Sequence, residues 1–252
     1  MHTYMKKLLY TVIIFILLFS NSIHAQNAMF LPQGRIEFER KLNLWAQIDD
    51  EDDQGWKELM KKTMPQFKTS YFDLVFNGNK TLYRPGRENT DNNKLWDRPA
   101  EDNVVFTDLI AQAATTQKNV FEQQFLVHDS TRQIKWKITN ETRNIAGFDC
   151  RRANALIMDS IYIVAFYTDA ITTSGGPESF SGLPGMILGL AIPHEHITWF
   201  ATKVYRETIT DATLVPPAKG KKMTNNTLVT TLQDRMKDWG KWGQRYIRQI
   251  AL

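Results

Sequence analysis

The sequence predicts a mainly β protein: a strongly curved antiparallel sheet or open barrel, with an early helix and a packed C-terminal helix. Three observations lead there. Short runs rich in β-branched and aromatic residues recur from Arg35 to Glu207, the composition of half-buried strands. Turn signals such as Asn77-Gly78 separate them with no helix-sized gap, which favours hairpin pairing over βαβ crossovers. Only near the end does the apolar period change to that of a helix.

Residues 1–25 have the three parts of a secretory signal peptide. Lys6 and Lys7 form the positive region, Leu8 to Phe19 an almost unbroken apolar run, and Asn21 to Ala25 a polar stretch ending in a small residue. Cleavage after Ala25 leaves Gln26 at the new N-terminus, in the periplasm or outside the cell. The run is shorter than the roughly 20 apolar residues of a membrane span, and no later stretch is more apolar, so no transmembrane segment is expected in the mature chain. No cysteine lies near the cleavage point to carry a lipid.

Residues 26–252 then form one β domain, a length that sandwiches and barrels reach as single units. Loss of Lys6 and Lys7 removes two of the four net positive charges. The nearly balanced remainder gives no electrostatic case for nucleic acid as a partner. Cys150 is the sole cysteine, so no intrachain disulfide forms. It reads as a small buried apolar residue, with Asp149 beside it to raise its pKa.

In Arg35 to Ala46 the even positions Ile36, Phe38, Arg40, Leu42 and Leu44 alternate with mostly polar ones, a half-buried strand. The acidic run Asp49 to Asp53 precedes Trp56, Leu59, Met60 and Met64 at helical spacing, as a helix N-terminus favours. It lacks the ligand alternation and central glycine of a calcium loop. Ser70–Phe76 and Thr81–Tyr83 flank the Asn77-Gly78 hairpin turn, and the polar stretch 85–103 is an exposed insertion. Further strands are expected at Val104–Leu109, Val120–His128, Gln133–Thr139, Arg151–Met158, Ile161–Thr168, Met186–Ile192 and His196–Glu207. Leu228, Leu232, Met236, Trp239, Tyr246 and Ile250 fall on one helical face after the N-cap Thr224, and this face is expected to pack across the sheet. Gly240 and Gly243 weaken that helix in its middle.

The most distinctive stretch is Ser179 to Leu188. Pro184 and Gly185 suit the second and third positions of a type II turn, Gly182 frees the chain before it, and an apolar strand follows. Gly182-Leu183-Pro184-Gly185-Met186-Ile187 resembles the signature of the GLPGLI family, with Met in place of the second Leu. Ile145 to Ala153, Phe166-Tyr167-Thr168 and Gly176-Pro177 followed by Phe180 resemble the family's neighbouring segments, in the same order. Phe166 stands where the family often has Trp. The resemblance implies an exported protein of a gram-negative bacterium, of unknown biochemical activity. It also implies genes near TonB-dependent outer-membrane receptors.

Candidates for chemistry are few. The mature chain has three histidines, His128, His194 and His196. An extended Pro193-His194-Glu195-His196 puts both flanking imidazoles on one face, within reach of one metal, with Glu195 pointing away. A zinc or copper site then needs His128 or Cys150 as a further ligand. There is no Gly-x-Ser-x-Gly elbow, no base beside Ser174 or Ser181, and no phosphate loop. No cofactor motif is present. The expected function is therefore a non-enzymatic binding or accessory protein of the cell envelope, serving an outer-membrane receptor or holding a hydrophobic ligand. The alternatives are a metal-binding protein using His194 and His196, and a hydrolase whose site is assembled from distant residues.

Overall fold

The computed structural model describes residues 30–50, 53–90, 99–158 and 160–252, together with Tyr4. The expected signal peptide, apart from Tyr4, and the centre of the 85–103 insertion lie outside the described residues.

Strand β1 (Gln33–Asn43) buries Ile36, Phe38, Arg40 and Leu42, as the alternation predicts. It ends before the expected Ala46 because the Asn43 side chain accepts the Ala46 N–H at 3.1 Å and caps a short helix, α1 (Leu44–Asp49). Asp53 caps α2 (Gln54–Thr63) in the same way, accepting the Trp56 N–H at 3.0 Å. This is the expected early helix, yet Trp56 and Leu59 stay exposed; Met60 packs against the core and the residue that follows the helix, Met64, is buried in it.

Strands β2 (Phe67–Asn77) and β3 (Lys80–Pro85) pair through Asn77 and Lys80, leaving Gly78-Asn79 as the turn with Gly78 at φ 56°. Then come β4 (Val104–Asp108), β5 (Ala113–Val120), β6 (Gln123–Ser130), β7 (Lys137–Ile145), β8 (Phe148–Ile157), β9 (Ile161–Thr168), β10 (Met186–Ile192), β11 (Ile197–Tyr205) and β12 (Lys221–Met223). The twelve strands form one sheet in the order β12-β6-β5-β4-β3-β2-β1-β11-β10-β9-β8-β7. Every pairing is antiparallel except that of β12 with β6. The sheet curls without closing, and register shifts at Glu37/Phe38, Ile138/Thr142 and Ile187/Gly189 add local bends.

Strand β5 escaped the hydrophobic pattern because its inward residues are Ala114, Thr116, Lys118 and Val120. The run expected at Val120–His128 joins the last residue of β5, a tight turn and β6. The first strand after it starts at Lys137, not Gln133.

The main core lies on the inner face and runs from β1 and β2 across β11, β10, β9 and β8. Val75, Leu82, Ile209 and Leu214 make a small core on the outer face. The expected C-terminal helix is two helices, α3 (Asn225–Arg235) and α4 (Gly240–Ala251). Thr224 caps α3 by accepting the Thr227 N–H at 3.2 Å. The break falls at Gly240, whose φ of 55° is left-handed. Leu228, Leu232, Met236, Tyr246 and Ile250 pack on Val120, Phe125 and Val127, so the amphipathic face covers the sheet as expected. Among the described residues, no helix is long and apolar enough to cross a membrane.

Candidate functional site

The histidine pair is not extended. Pro193–Glu195 forms one 3-10 turn between β10 and β11, and His196 follows it at φ 56°. This corrects the expected geometry: the shared strand face that would aim both imidazoles at one metal is not formed. Proline at the start of the turn fixes its φ, and the tight link from Ile192 to Ile197 leaves no room for a straight segment. Glu195, expected to point away, is fully buried instead. Its Oε1 accepts from Arg248 Nε at 2.8 Å and its Oε2 from Gln249 Nε2 at 3.2 Å. Its backbone carbonyl accepts from Gln47 Nε2 at 3.0 Å. The buried carboxylate therefore ties the turn to α4, and the Glu195 carbonyl ties it to α1.

Beside the turn lies an open, mostly polar cleft of about 350 Å³, lined by Asp50, His194, His196, Lys241, Gln244, Arg245 and Arg248. Asp50 Oδ2 stands 3.2 Å from His196 Nε2 and accepts from Arg245 at 2.7 Å. Three permanent cations around the histidines disfavour a divalent metal ion. His128 is on β6, hydrogen-bonded through Nδ1 to Thr115 Oγ1 at 2.9 Å. Cys150 is buried in the main core. Burial, and then Asp149, pushes its thiol up to about 12. Among the described residues, no group of three or more His, Cys, Asp and Glu is placed to hold a metal ion.

The second site is apolar, and sequence reasoning missed it. Val120 of β5 pairs with Gln123 of β6, so Phe121-Glu122 is the turn between them. Phe121 adopts φ 54° and is 56% exposed. A bulky residue there is strained, where glycine or asparagine is at ease. Phe121 stacks on Tyr246 of α4, with ring centroids 5.1 Å apart and planes 5° apart, and meets Trp239 edge-on at 5.6 Å. Trp242 bridges Trp239 and Tyr246, 5.2 Å from each. Phe121 and Trp239 line a cleft of about 640 Å³ between the turn, α3 and the α3–α4 junction, together with Val120, Phe125, Leu232 and Met236 and, at its polar edge, residues such as Glu122 and Arg235. The only sequence signal was the Trp-rich end of the chain, because Phe121 stood inside a strand-like run.

A third cluster is internal. The loop between β9 and β10 places Glu178, at φ 53°, in the inner face of the sheet. Glu178 Oε2 accepts from Asn103 Nδ2 at 2.9 Å. Burial raises the Glu178 carboxyl, against the opposing pull of Lys118, Asn103, Arg40 and Arg132. Lys118 donates to the Ile250 carbonyl, and Arg132 to the Ala251 carbonyl at 2.7 Å, so one buried and one half-buried cation satisfy the last carbonyls of α4. Burial lowers the Lys118 ammonium to about 8.

The same loop holds the glycine-proline corner. Gly185 has the expected positive φ, at 136°, but the Met186 N–H donates across to Ile171 at 3.2 Å and does not close a type II turn. A Cβ on Gly185 would lie 2.1 Å from the Thr168 carbonyl oxygen, so only glycine fits. The corner is architecture.

Residues 156–189, which span β9, this corner and the first half of β10, match the model of a family described as "Protein of unknown function (Porph_ging)". No curated protein matches the chain. Among solved structures, PNGF-II in one space group aligns with a TM-score of 0.52 at 16% identity, over 79% of this chain and 33% of that one. A second space group gives 0.51 and 16%, over 77% and 31%. The chain thus spans about a third of PNGF-II, and at that identity the likeness is one of fold. Among the described residues the chain is a curled twelve-stranded sheet, similar in fold to part of PNGF-II, with a segment matching a family of unknown function.

Proposed function

We propose that this chain is a non-enzymatic binding protein of the bacterial cell envelope, exported on residues 1–25, and that its aromatic cleft holds a hydrophobic ligand. The observation that carries this reading is Phe121: a large apolar ring kept in a strained backbone conformation and left half in water, at the mouth of an apolar cleft. Packing alone does not require it, since the turn accepts smaller residues at lower cost. The cleft, of about 640 Å³, has the size and lining typical of small-molecule sites. The GLPGLI-like motifs support the envelope setting and an outer-membrane receptor as the protein served. The two buried carboxylates among the described residues, Glu178 and Glu195, line neither cleft. The test is solvent extraction of purified protein followed by mass spectrometry of what it carried. An apolar compound present at near-equal molar amount, and lost from Phe121→Ala/Trp239→Ala, is the expected result. Identical extracts from both proteins would end the proposal.

A further inference from the structure

Building on the reading that the aromatic cleft holds a hydrophobic ligand, we propose that this ligand is a zwitterionic amphiphile, an apolar chain carrying an ammonium and an oxyanion at one end. Glu122 and the exposed rings take the ammonium, and Arg235 takes the oxyanion.

The polar edge of the cleft divides into groups already engaged and groups left open. Gln124 Nε2 donates to Asn119 Oδ1 at 3.2 Å, and Thr231 Oγ1 donates to the Thr227 carbonyl at 2.7 Å. Each is thus held within its own hairpin or helix. Glu122 and Arg235 also line the cleft, and both are exposed. Among the described residues, neither side chain forms a hydrogen bond or an ion pair. Arg235 is the last residue of α3 and suits the negative end of that helix. Glu122 has no such local role.

These two charges are opposite in sign and stand on different walls, Glu122 on the β5–β6 turn and Arg235 on α3. An anionic ligand meets Glu122 as a like charge, and a cationic ligand meets Arg235 in the same way. A plain hydrocarbon uses neither. A head that carries both charges gains from both residues.

The rings decide which charge goes where. Glu122 directly follows Phe121, so an ammonium drawn to its carboxylate comes to rest beside exposed aromatic surface. Trp239 is 44% exposed, and its plane meets that of Phe121 at 66°. Ring faces attract cations, and quaternary ammonium groups are the ligands that aromatic walls hold best. The guanidinium of Arg235 matches two oxygens of a phosphate or carboxylate at once. The apolar chain then lies along Val120, Phe125, Leu232 and Met236.

The test is calorimetric titration of the full chain with four amphiphiles that share a dodecyl chain, each below its micelle concentration. They are dodecylphosphocholine, dodecyl phosphate, dodecyltrimethylammonium and dodecyl maltoside. Dodecylphosphocholine should bind tightest, by about fivefold over the others. Glu122→Gln should remove its advantage over dodecyl phosphate, and Arg235→Gln its advantage over dodecyltrimethylammonium. Dodecyl maltoside should bind both variants as it binds the parent, which a general loss of structure would not allow. Equal binding of all four, tightest binding of another head, or an advantage that survives both substitutions would overturn the zwitterion and leave the hydrophobic cleft standing. No saturable binding of any of the four would end both proposals.

Discussion

Arg248 and Glu195 meet at 2.8 Å across the seam between the last helix and the β10–β11 turn, and the carboxylate of the pair has no exposed surface. The sheet and the C-terminal helix are thus joined by an ion pair as well as by apolar packing. Removing the cation strands a buried charge. Arg248→Ala should lower unfolding stability by about 3 kcal/mol. Adding Glu195→Gln to that variant should restore a large part, since the charge leaves with its partner. Urea midpoints of the two variants and the parent measure both effects.

Lys118 gives stability a pH dependence of unusual sign. Its ammonium falls from 10.5 to about 8 on folding, mainly through burial. Between those values the unfolded chain holds the proton and the native one has released it, so stability rises with pH through that window. The contribution is on the order of 3 kcal/mol. Buried Tyr83, whose hydroxyl is pushed well above 10 by burial and then by Glu178, holds its proton in the native state and pulls stability down at higher pH. Chemical denaturation from pH 8 to pH 10 should show the rise in the parent and a smaller slope in Lys118→Met. An equal slope in both would refute this assignment.

Gly185→Ala tests the corner. The added Cβ meets the Thr168 carbonyl oxygen at 2.1 Å, and φ is 136°. The variant should be destabilised by about 3 kcal/mol or more, or fail to fold. Gly78→Ala, with φ 56° and nothing near the new methyl, is the control and should cost only about 1 kcal/mol.

The fold class was legible because alternation, turn residues and helical spacing are local signals. Asn77-Gly78 set a hairpin, and Thr224 marked a helix start. Strand β5 was not legible, because Ala114, Thr116 and Lys118 owe their burial to long-range contacts, such as the tie from Lys118 to Ile250. The histidines were found but misjudged. Pro193 at the first position of a tight turn outweighs strand alternation, and nothing local reveals that Glu195 belongs beneath Arg248. Phe121 was hidden for a similar reason: an aromatic residue between strand-like runs reads as strand, and its stacking on Tyr246 joins positions far apart in sequence.

Cys150 should be inert in the native protein. Its thiol is in the core and pushed up to about 12, so almost no thiolate forms near neutral pH. A disulfide reagent at pH 8 should leave it unmodified for as long as the protein stays folded, and label it fully in denaturant. Rapid labelling without denaturant would contradict the burial.

The aromatic cleft is tested most directly by titrating the full chain with the neutral dye N-phenylnaphthylamine, which the polar cleft beside the β10–β11 turn does not attract. The expected result is a saturable rise in dye emission at one site, weakened about tenfold or more in Phe121→Ala/Trp239→Ala, with both proteins folded. Equal binding by the variant, or emission that never saturates, would contradict a ligand held in the cleft that Phe121 and Trp239 line.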